Sequence, residues 1–454
     1  MHEFLLLLEK FNDKLNDIVW GIPVLLFILL IGLMFTVRLG FFQFTKYKVW
    51  MKATFGSFLK KKGGSTSSGI STFQAMSTAL AGAIGTGNIV GVATAITLGG
   101  PGAIFWMWIA AFLGMMTSFA ENILGVLYRQ KNKKGQWVGG PMYYIEKGLH
   151  QKWLAVIFAV ACMIAALGIG NMTQSNSIAA ALNMSFNVPP ITTAIIVAIV
   201  CSAVIFGGIK RIAKVTEMIV PFMSAFYILG CLIVLAVNFH GVPSAFINII
   251  TGAFQFKTAA AGAGGYTISL AVKYGISRGV FSNEAGLGSS PIIHAATDDY
   301  NPIRAGMWGI FQVFIDTIVV CTLTAFCILS TNECTEGLDG VELSAVAFNG
   351  VFHEFGGLFI TVSVLLFAFA TLISWSYFGE KSLEYLSGDK LLPFYKAFYV
   401  LCAALGCVMN LRLVWEISDT FNGIMAIPNL IALLFLSKQV IKEVKSKSKK
   451  FTKI

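Results

Sequence analysis

One feature constrains this chain above all others: apolar runs of near-constant length recur from end to end, separated by short polar segments. A helix of about 20 apolar residues crosses the ~30 Å hydrocarbon layer of a bilayer. Eleven runs approach or exceed that length, at approximately 18–39, 72–98, 101–128, 152–181, 190–208, 215–238, 264–290, 303–330, 355–379, 394–411 and 420–437. Only 12% of the 454 residues are charged, against roughly 25% in a soluble domain. The expectation is an all-α polytopic membrane protein of 11 transmembrane helices, with no room for a separate soluble domain. The head MHEFLLLLEKFNDKLND lacks the basic n-region and small-residue cleavage site of a signal peptide, so the first run reads as a retained helix.

A net charge of +11 could indicate nucleic acid or an anionic surface, and the placement of the bases decides between them. Alternate inter-run segments hold 27 of the 33 Lys and Arg: seven in 38–62, six in 129–152, three in 210–214, Arg304 alone, three in 381–396 and seven in 438–453. The intervening segments hold Lys10, Lys14, Lys257 and Arg412, and the loop 331–354 has acids but no bases. Bases concentrate on the cytoplasmic side of membrane proteins. The asymmetry therefore predicts the N-terminus outside and the C-terminus inside, with a lipid bilayer and no nucleic acid as partner. The tail KEVKSKSKK is an orientation signal that touches anionic lipid.

The eight cysteines sit mostly inside the runs and show no metal-type pairing; Cys334 alone falls in an outer loop. Five scattered histidines form no metal box or proton relay. No Ser-His-Asp or Cys-His constellation is apparent, so an enzyme is not expected, and neither is a structural metal or organic cofactor.

Within the second run, GTGNIVG (Gly85 to Gly91) fits G-x-G-x-x-G. A dinucleotide loop needs a soluble βαβ unit and an acid about 20 residues on. No Asp or Glu occurs between Ile70 and Ala120, and the motif lies mid-run. Two close glycines at membrane depth instead weaken a helix, and unpaired backbone is tolerated there only beside protein or a cavity. Freed amides suit a carboxylate, and freed carbonyls with the side chains of Thr86 and Asn88 suit a cation. A small-residue packing face of Gly82, Gly85, Gly87 and Gly91 is the plainer alternative. The seventh run is interrupted in the same way by GISRGVFSNEAGLGSS, where Arg278, Asn283 and Glu284 occur at spanning depth. An ionisable group there costs roughly 2.5–3.5 kcal/mol unless paired or hydrated. Pairing of Glu284 with Arg278 or Lys273 and a direct site role both satisfy that cost.

The two interrupted runs are the second and the seventh, five apart. Because five is odd, helices 2–6 and 7–11 start from opposite sides of the membrane. This is the signature of a five-plus-five inverted repeat with its site at the repeat interface. The expected divisions are 1–62 (an extra N-terminal helix and basic loop), 63–240 and 241–440 (the two repeats) and 441–454 (a basic cytoplasmic tail).

At these residues the chain resembles the alanine or glycine:cation symporter family of the amino acid–polyamine–cation superfamily, which has the LeuT-type fold. The motifs that carry the resemblance are GTGNIVGVATAITLGGPGAIFWMW (85–108), GGPMYYIEKG (139–148), GIGNMTQSNS (168–177), RGVFSNEAGLGSSPI (278–292), DTIVVCT (316–322), WSYFGEK (375–381) and NGIMAIPNL (422–430). The resemblance implies a cell-membrane secondary transporter. It would carry small neutral amino acids, chiefly alanine and glycine, with sodium as the coupling ion, by alternating access. A proton-coupled symporter and an ion channel are the alternatives.

Beside that analogy, the residues suggest roles. Gly85, Thr86, Gly87, Asn88, Asn171, Gln174, Phe281, Ser282 and Trp375 are expected to bind substrate, with its carboxylate at the exposed amides. Thr86, Asn88, Thr371 and Ser374 are expected to serve the cation. Arg278, Glu284 and Asp316 are coupling or structural charges, and Asp316 is read as a cation ligand or a partner for the helix-seven bases. Glu121 and Glu380 are expected to pair with Arg129 and Lys381 near inner helix ends.

Overall fold

A backbone that crosses hydrocarbon must satisfy its own N–H and C=O groups, which a helix does locally. In the computed structural model, which describes residues 2–58, 69–254, 263–331, 338, 340–409 and 412–451, helices accordingly dominate. Strand structure among the described residues is confined to the hairpin Gln130–Lys131 with Trp137–Val138 and an isolated parallel bridge between Ile70 and Thr297. Seven described helical stretches are long and apolar enough to cross a membrane, and Val90–Gly99, Pro190–Ile205 and Gly340–Phe352 are shorter apolar helices.

Differences from the sequence reading have local causes. The fourth run continues to Phe186 through a π-helical turn at Gly168–Met172. The seventh run is helical only as Ala263–Asn283, then unwinds and resumes as Ser290–His294. Part of the expected loop 331–354 forms the helix Gly340–Phe352, which buries Leu343, Ala347 and Phe348 at helical spacing. Lys257 and Cys334 lie outside the described residues.

The helix Ile22–Arg38 packs at the periphery, with Leu25, Ile28, Ile31 and Phe35 buried and Leu26, Leu30, Leu33 and Val37 exposed. Gly102–Leu127 lies at the centre, and its first residue meets the backbone of another helix. A Cβ on Gly102 would sit 2.3 Å from the carbonyl carbon of Gly252 and 2.4 Å from the nitrogen of Ala253. Backbone cannot swing aside as a side chain can. Gly102→Ala is therefore expected to destabilise the fold by about 1–3 kcal/mol, the usual cost of overpacking. A lowered melting midpoint in detergent would register it, and an unchanged midpoint would show that the two helices can separate freely.

Two interrupted helices organise the interior. The first comprises Thr72–Ala83 and Val90–Gly99, and the second Ala263–Asn283 and Ser290–His294. They run antiparallel. Ile70, just before the first, pairs with the segment after the second: its N–H donates to Ala296 O (3.4 Å), and the Asp298 N–H donates to Ile70 O (3.3 Å). At the other end Gly99 faces Leu270 O and Tyr274. The interruptions meet midway, where Gly87 abuts Phe281 and Ser282.

Candidate functional site

The first interruption is built by its sequence. Ser71 and Gln74 form a reciprocal cap, each side chain accepting the other's backbone N–H at 3.1 Å, which fixes where the helix begins. Helical geometry ends at Ile84 (ψ 89°), a single 3-10 turn spans Thr86–Asn88, and the helix restarts at Val90. Asn88 stabilises the turn by accepting the Gly85 N–H on Oδ1 at 3.0 Å. Gly85 is required by close approach, because a Cβ there would lie 2.5 Å from Thr371 Oγ1.

Ending a helix frees its last carbonyls, and the helix Glu354–Ser387 supplies a hydroxyl to one of them and another to a carbonyl a turn earlier. Thr371 Oγ1 donates to Ala81 O at 2.9 Å and lies 3.5 Å from Ile84 O, while Ser374 Oγ donates to Thr78 O at 2.6 Å. Thr371, Ser374 and three backbone oxygens thus gather on one side of the turn.

Asp316 lies on another side, in a π-helical stretch, Phe314–Cys321. Its Oδ1 accepts from Asn88 Nδ2 (2.7 Å) and Ser282 Oγ (3.2 Å), and its Oδ2 from Thr317 Oγ1 (2.7 Å). All three partners are neutral. The expected alternative of pairing with a helix-seven base is not what forms: Lys273 meets Asp17 at 3.5 Å, and Arg278 makes no ion pair among the described residues. The reason is depth, since Lys273 and Arg278 precede Ser282 by nine and four residues, about 13 and 6 Å along the helix axis.

Of the two readings of Glu284, pairing with Arg278 or Lys273 is not what forms, because Glu284 stands six and eleven residues beyond them, past the helix end at Asn283. Glu284 adopts φ +60° at the second interruption. Its carboxylate accepts Trp375 Nε1–H at 2.8 Å and the Ser289 hydroxyl. Glu121 likewise turns away from Arg129. It receives the Asn429 amide, while Asn429 also donates to Gly286 O at 2.9 Å, so the unwound segment is tied to two neighbouring helices. Glu380 pairs with Lys396 at 3.2 Å, because Lys381 reaches Glu384 at 2.5 Å.

A cavity of about 230 Å³ opens on the Val90–Gly99 side of the first interruption, lined by Thr86, Gly87, Val90, Gly91, Thr94, Arg278, Phe281 and Trp415. Phe281 stacks on Trp415 with ring centroids 6.5 Å apart. Of the anticipated substrate residues, Thr86, Gly87 and Phe281 line this space. Gly85, Asn88 and Ser282 lie behind it, in the oxygen clusters. Asn171 and Gln174 are not among its lining: Asn171 Nδ2 donates to Tyr399 O (2.7 Å) and Gln174 Nε2 to Ile169 O (3.0 Å). Both keep a buried side-chain oxygen without a partner, as does Thr86. Trp375 is packed against Gly170 and linked to Glu284.

Sequence reasoning missed several residues here. Trp415 opens a helix whose start gave no motif, and Thr317 and Ser289 lie inside quoted motifs without a distinguishing signal. Arg129 does not pair with Glu121. Its guanidinium instead donates to Thr297 O (2.7 Å) and Ala295 O (3.2 Å), with Trp137 and Tyr300 rings 4.4 and 4.7 Å away. Burial pulls its pKa down from the ordinary guanidinium value, and Tyr300, Asp299 and Asp298 oppose that shift. This cluster holds the end of the second broken helix beside the Ile70 bridge, at the opposite end of the bundle from the cavity.

Paired interruptions with oxygen clusters at their junction make comparison with known proteins informative. A profile of the sodium:alanine symporter family matches residues 5–453. The chain belongs to the sodium:alanine symporter family. As a family member it is a multi-pass membrane transporter and not an enzyme. It is similar to the sodium/alanine symporter AgcS of Methanococcus maripaludis, 47% identical over 96% of each chain. It is also similar to the probable sodium/glutamine symporter GlnT of Bacillus subtilis, 38% identical over 97% of this chain and 90% of that one. Among solved structures, a manganese transporter of Eremococcus coleocola superposes with a TM-score of 0.52 at 14% identity, covering 81% of this chain and 78% of that one. That likeness extends the family member's kinship to fold alone.

Proposed function

We propose that the chain carries out sodium-coupled symport of small neutral amino acids, alanine and glycine, by alternating access. The observation that carries this reading is the meeting of two antiparallel broken helices, flanked by the Thr371 oxygen cluster on one side and Asp316 on the other. Sodium is a hard cation that favours several oxygen ligands. One ion is assigned to Ala81 O, Ile84 O and Thr371 Oγ1, with Ser374 alongside. Asp316, with Asn88 and Ser282, supplies a second, anionic cation site. The amino acid lies beside Thr86 and Gly87, walled by Phe281. Asn171, Gln174 and Trp375 complete its surroundings in the occluded state.

The architecture proposed for this cycle is eleven spanning helices, with repeats at 63–240 and 241–440 and an extra N-terminal helix outside them. The distribution of basic segments supports an N-terminus outside, and in that orientation the cavity faces outward. Coupling requires that ion and amino acid together favour occlusion, since a ligand shifts conformations only through differential affinity.

The test is uptake of labelled alanine and glycine into proteoliposomes under an imposed sodium gradient, a proton gradient or neither. Accumulation is expected with sodium alone, and uptake indifferent to sodium would overturn the coupling. Thr371→Val, which keeps shape but removes the hydroxyl, is expected to raise the sodium concentration for half-maximal uptake about tenfold, the scale of one lost hydrogen-bonding ligand. An unchanged sodium dependence would remove Thr371 from the cation site.

A further inference from the structure

The N-terminal helix His2–Val19 contributes no residue to the cavity lining, yet it is fastened to two of the cavity's walls. It ends in a tight turn, Trp20-Gly21, where a Cβ on Gly21 would stand 2.5 Å from Asp17 O. The turn buries Val19 and Trp20 against the helix Arg412–Phe451. Gly423 leaves room for them, since a Cβ there would lie 3.0 Å from Val19 and 3.2 Å from Trp20 Nε1. Three hydrogen bonds secure this attachment. Asn16 Nδ2 donates to Asp419 Oδ2 at 3.3 Å and to Thr420 Oγ1 at 3.1 Å, and Trp20 Nε1 donates to Asp419 O at 3.0 Å.

The next residue along reaches the second broken helix, where Asp17 Oδ1 lies 3.5 Å from Lys273 Nζ. Lys273 precedes Arg278 by five residues, and Asp419 follows Trp415 by about one helical turn. Arg278 and Trp415 both line the cavity, so one short helix joins the wall carrying the first to the wall carrying the second. Charge also acts between these walls, because Asp419 feels the positive charges of Arg278 and Lys273. The N-terminal helix opposes that attraction at both ends: Asn16 occupies the Asp419 carboxylate, and Asp17 offsets Lys273.

The two attachments differ in kind. The Asp419 end combines three hydrogen bonds with buried apolar packing. The Lys273 end is a single ion pair between an exposed aspartate and a half-buried lysine, a type of contact that contributes little. When the walls shift relative to one another, the ion pair yields first.

We propose that the N-terminal helix is a strap across the cavity, fixed to the helix Arg412–Phe451 and released from Lys273 when the cavity closes over its substrate. The inference rests on the transport function proposed above. The Asp17–Lys273 pair favours the open cavity, and breaking it frees Lys273 to draw Asp419 inward. The strap thereby adjusts apparent affinity without touching the amino acid.

The test uses the full-length transporter in proteoliposomes under a sodium gradient, with labelled alanine. Asp17→Asn is expected to lower the KM about two- to fivefold, the scale of an exposed ion pair, and Asp17→Glu, which keeps the charge, is expected to leave it unchanged. In a second measurement, Asp17→Cys with Lys273→Cys is joined by a short bismaleimide. Uptake is expected to stop, whereas each single-cysteine variant treated with the same reagent continues to transport. An unchanged or raised KM in Asp17→Asn, the same fall in Asp17→Glu, or full uptake by the cross-linked protein would overturn the strap. Absence of alanine uptake by the unaltered protein would remove the transport function and the strap with it, a result distinguishable from any effect confined to the variants.

Discussion

Asp316→Asn is expected to raise the sodium requirement of uptake by one to two orders of magnitude, with little loss of folded protein. Asparagine has nearly the same shape, and its Oδ1 can still accept from Asn88 Nδ2, which now stands 2.7 Å from the carboxylate. What disappears is the negative charge, and with it charge-assisted bonds of about 1.5–3 kcal/mol each. That energy corresponds to roughly a ten- to a hundredfold change in an equilibrium constant. The measurement is the sodium dependence of alanine uptake, accompanied by the melting midpoint of the purified variant. Normal sodium dependence would show that Asp316 only braces the interrupted helices. The position of the carboxylate makes the wider effect plain: it bonds to Asn88 of the first broken helix and to Ser282 of the second.

Gly85→Ala is expected to abolish sodium-driven uptake, with activity falling below about 1% of the unaltered protein. The added methyl would stand 2.5 Å from Thr371 Oγ1, inside any tolerable contact, and would push the hydroxyl from Ala81 O and Ile84 O. Overpacking of this kind costs about 1–3 kcal/mol even when side chains yield, and here the yielding group is the proposed ion ligand itself. Uptake is compared at low and saturating sodium, and the melting midpoint of a double variant with Thr371→Ala tests the steric cause, since alanine removes the hydroxyl that the new methyl meets. Retention of full activity in Gly85→Ala would mean that the hydroxyl is dispensable.

Much of this arrangement could be read from residues in order. GTGN and SNEAG break helical regularity inside apolar runs, and glycine in such a run is a local signal. The partners of the charged groups were not local. Asp316 meets Asn88 across 228 positions, and Glu284 meets Trp375 across 91. Proximity in sequence suggests Arg278 for Glu284, whereas Glu284 stands six residues on, just past the helix end at Asn283 and at a reversed φ, which carries the two groups apart. The Glu121 error has the same origin: Arg129 follows Glu121 by two turns, but the helix ends at Leu127, and the arginine leaves with the loop. The N-terminal segment offered even less, since its value depends on Asp419 and Thr420 some 400 residues later.

The pairing of Ile70 with the residues around Thr297 has a mechanical consequence. Two rods tied at one end cannot slide past one another there, so the broken helices would travel as a single rigid yoke. Whatever opens the tied end must then move against the yoke from outside, and Arg129 is where an outside element grips it. Each turnover of the cycle proposed here would have to release that grip, which places a fixed toll on the return stroke that is independent of the amino acid carried.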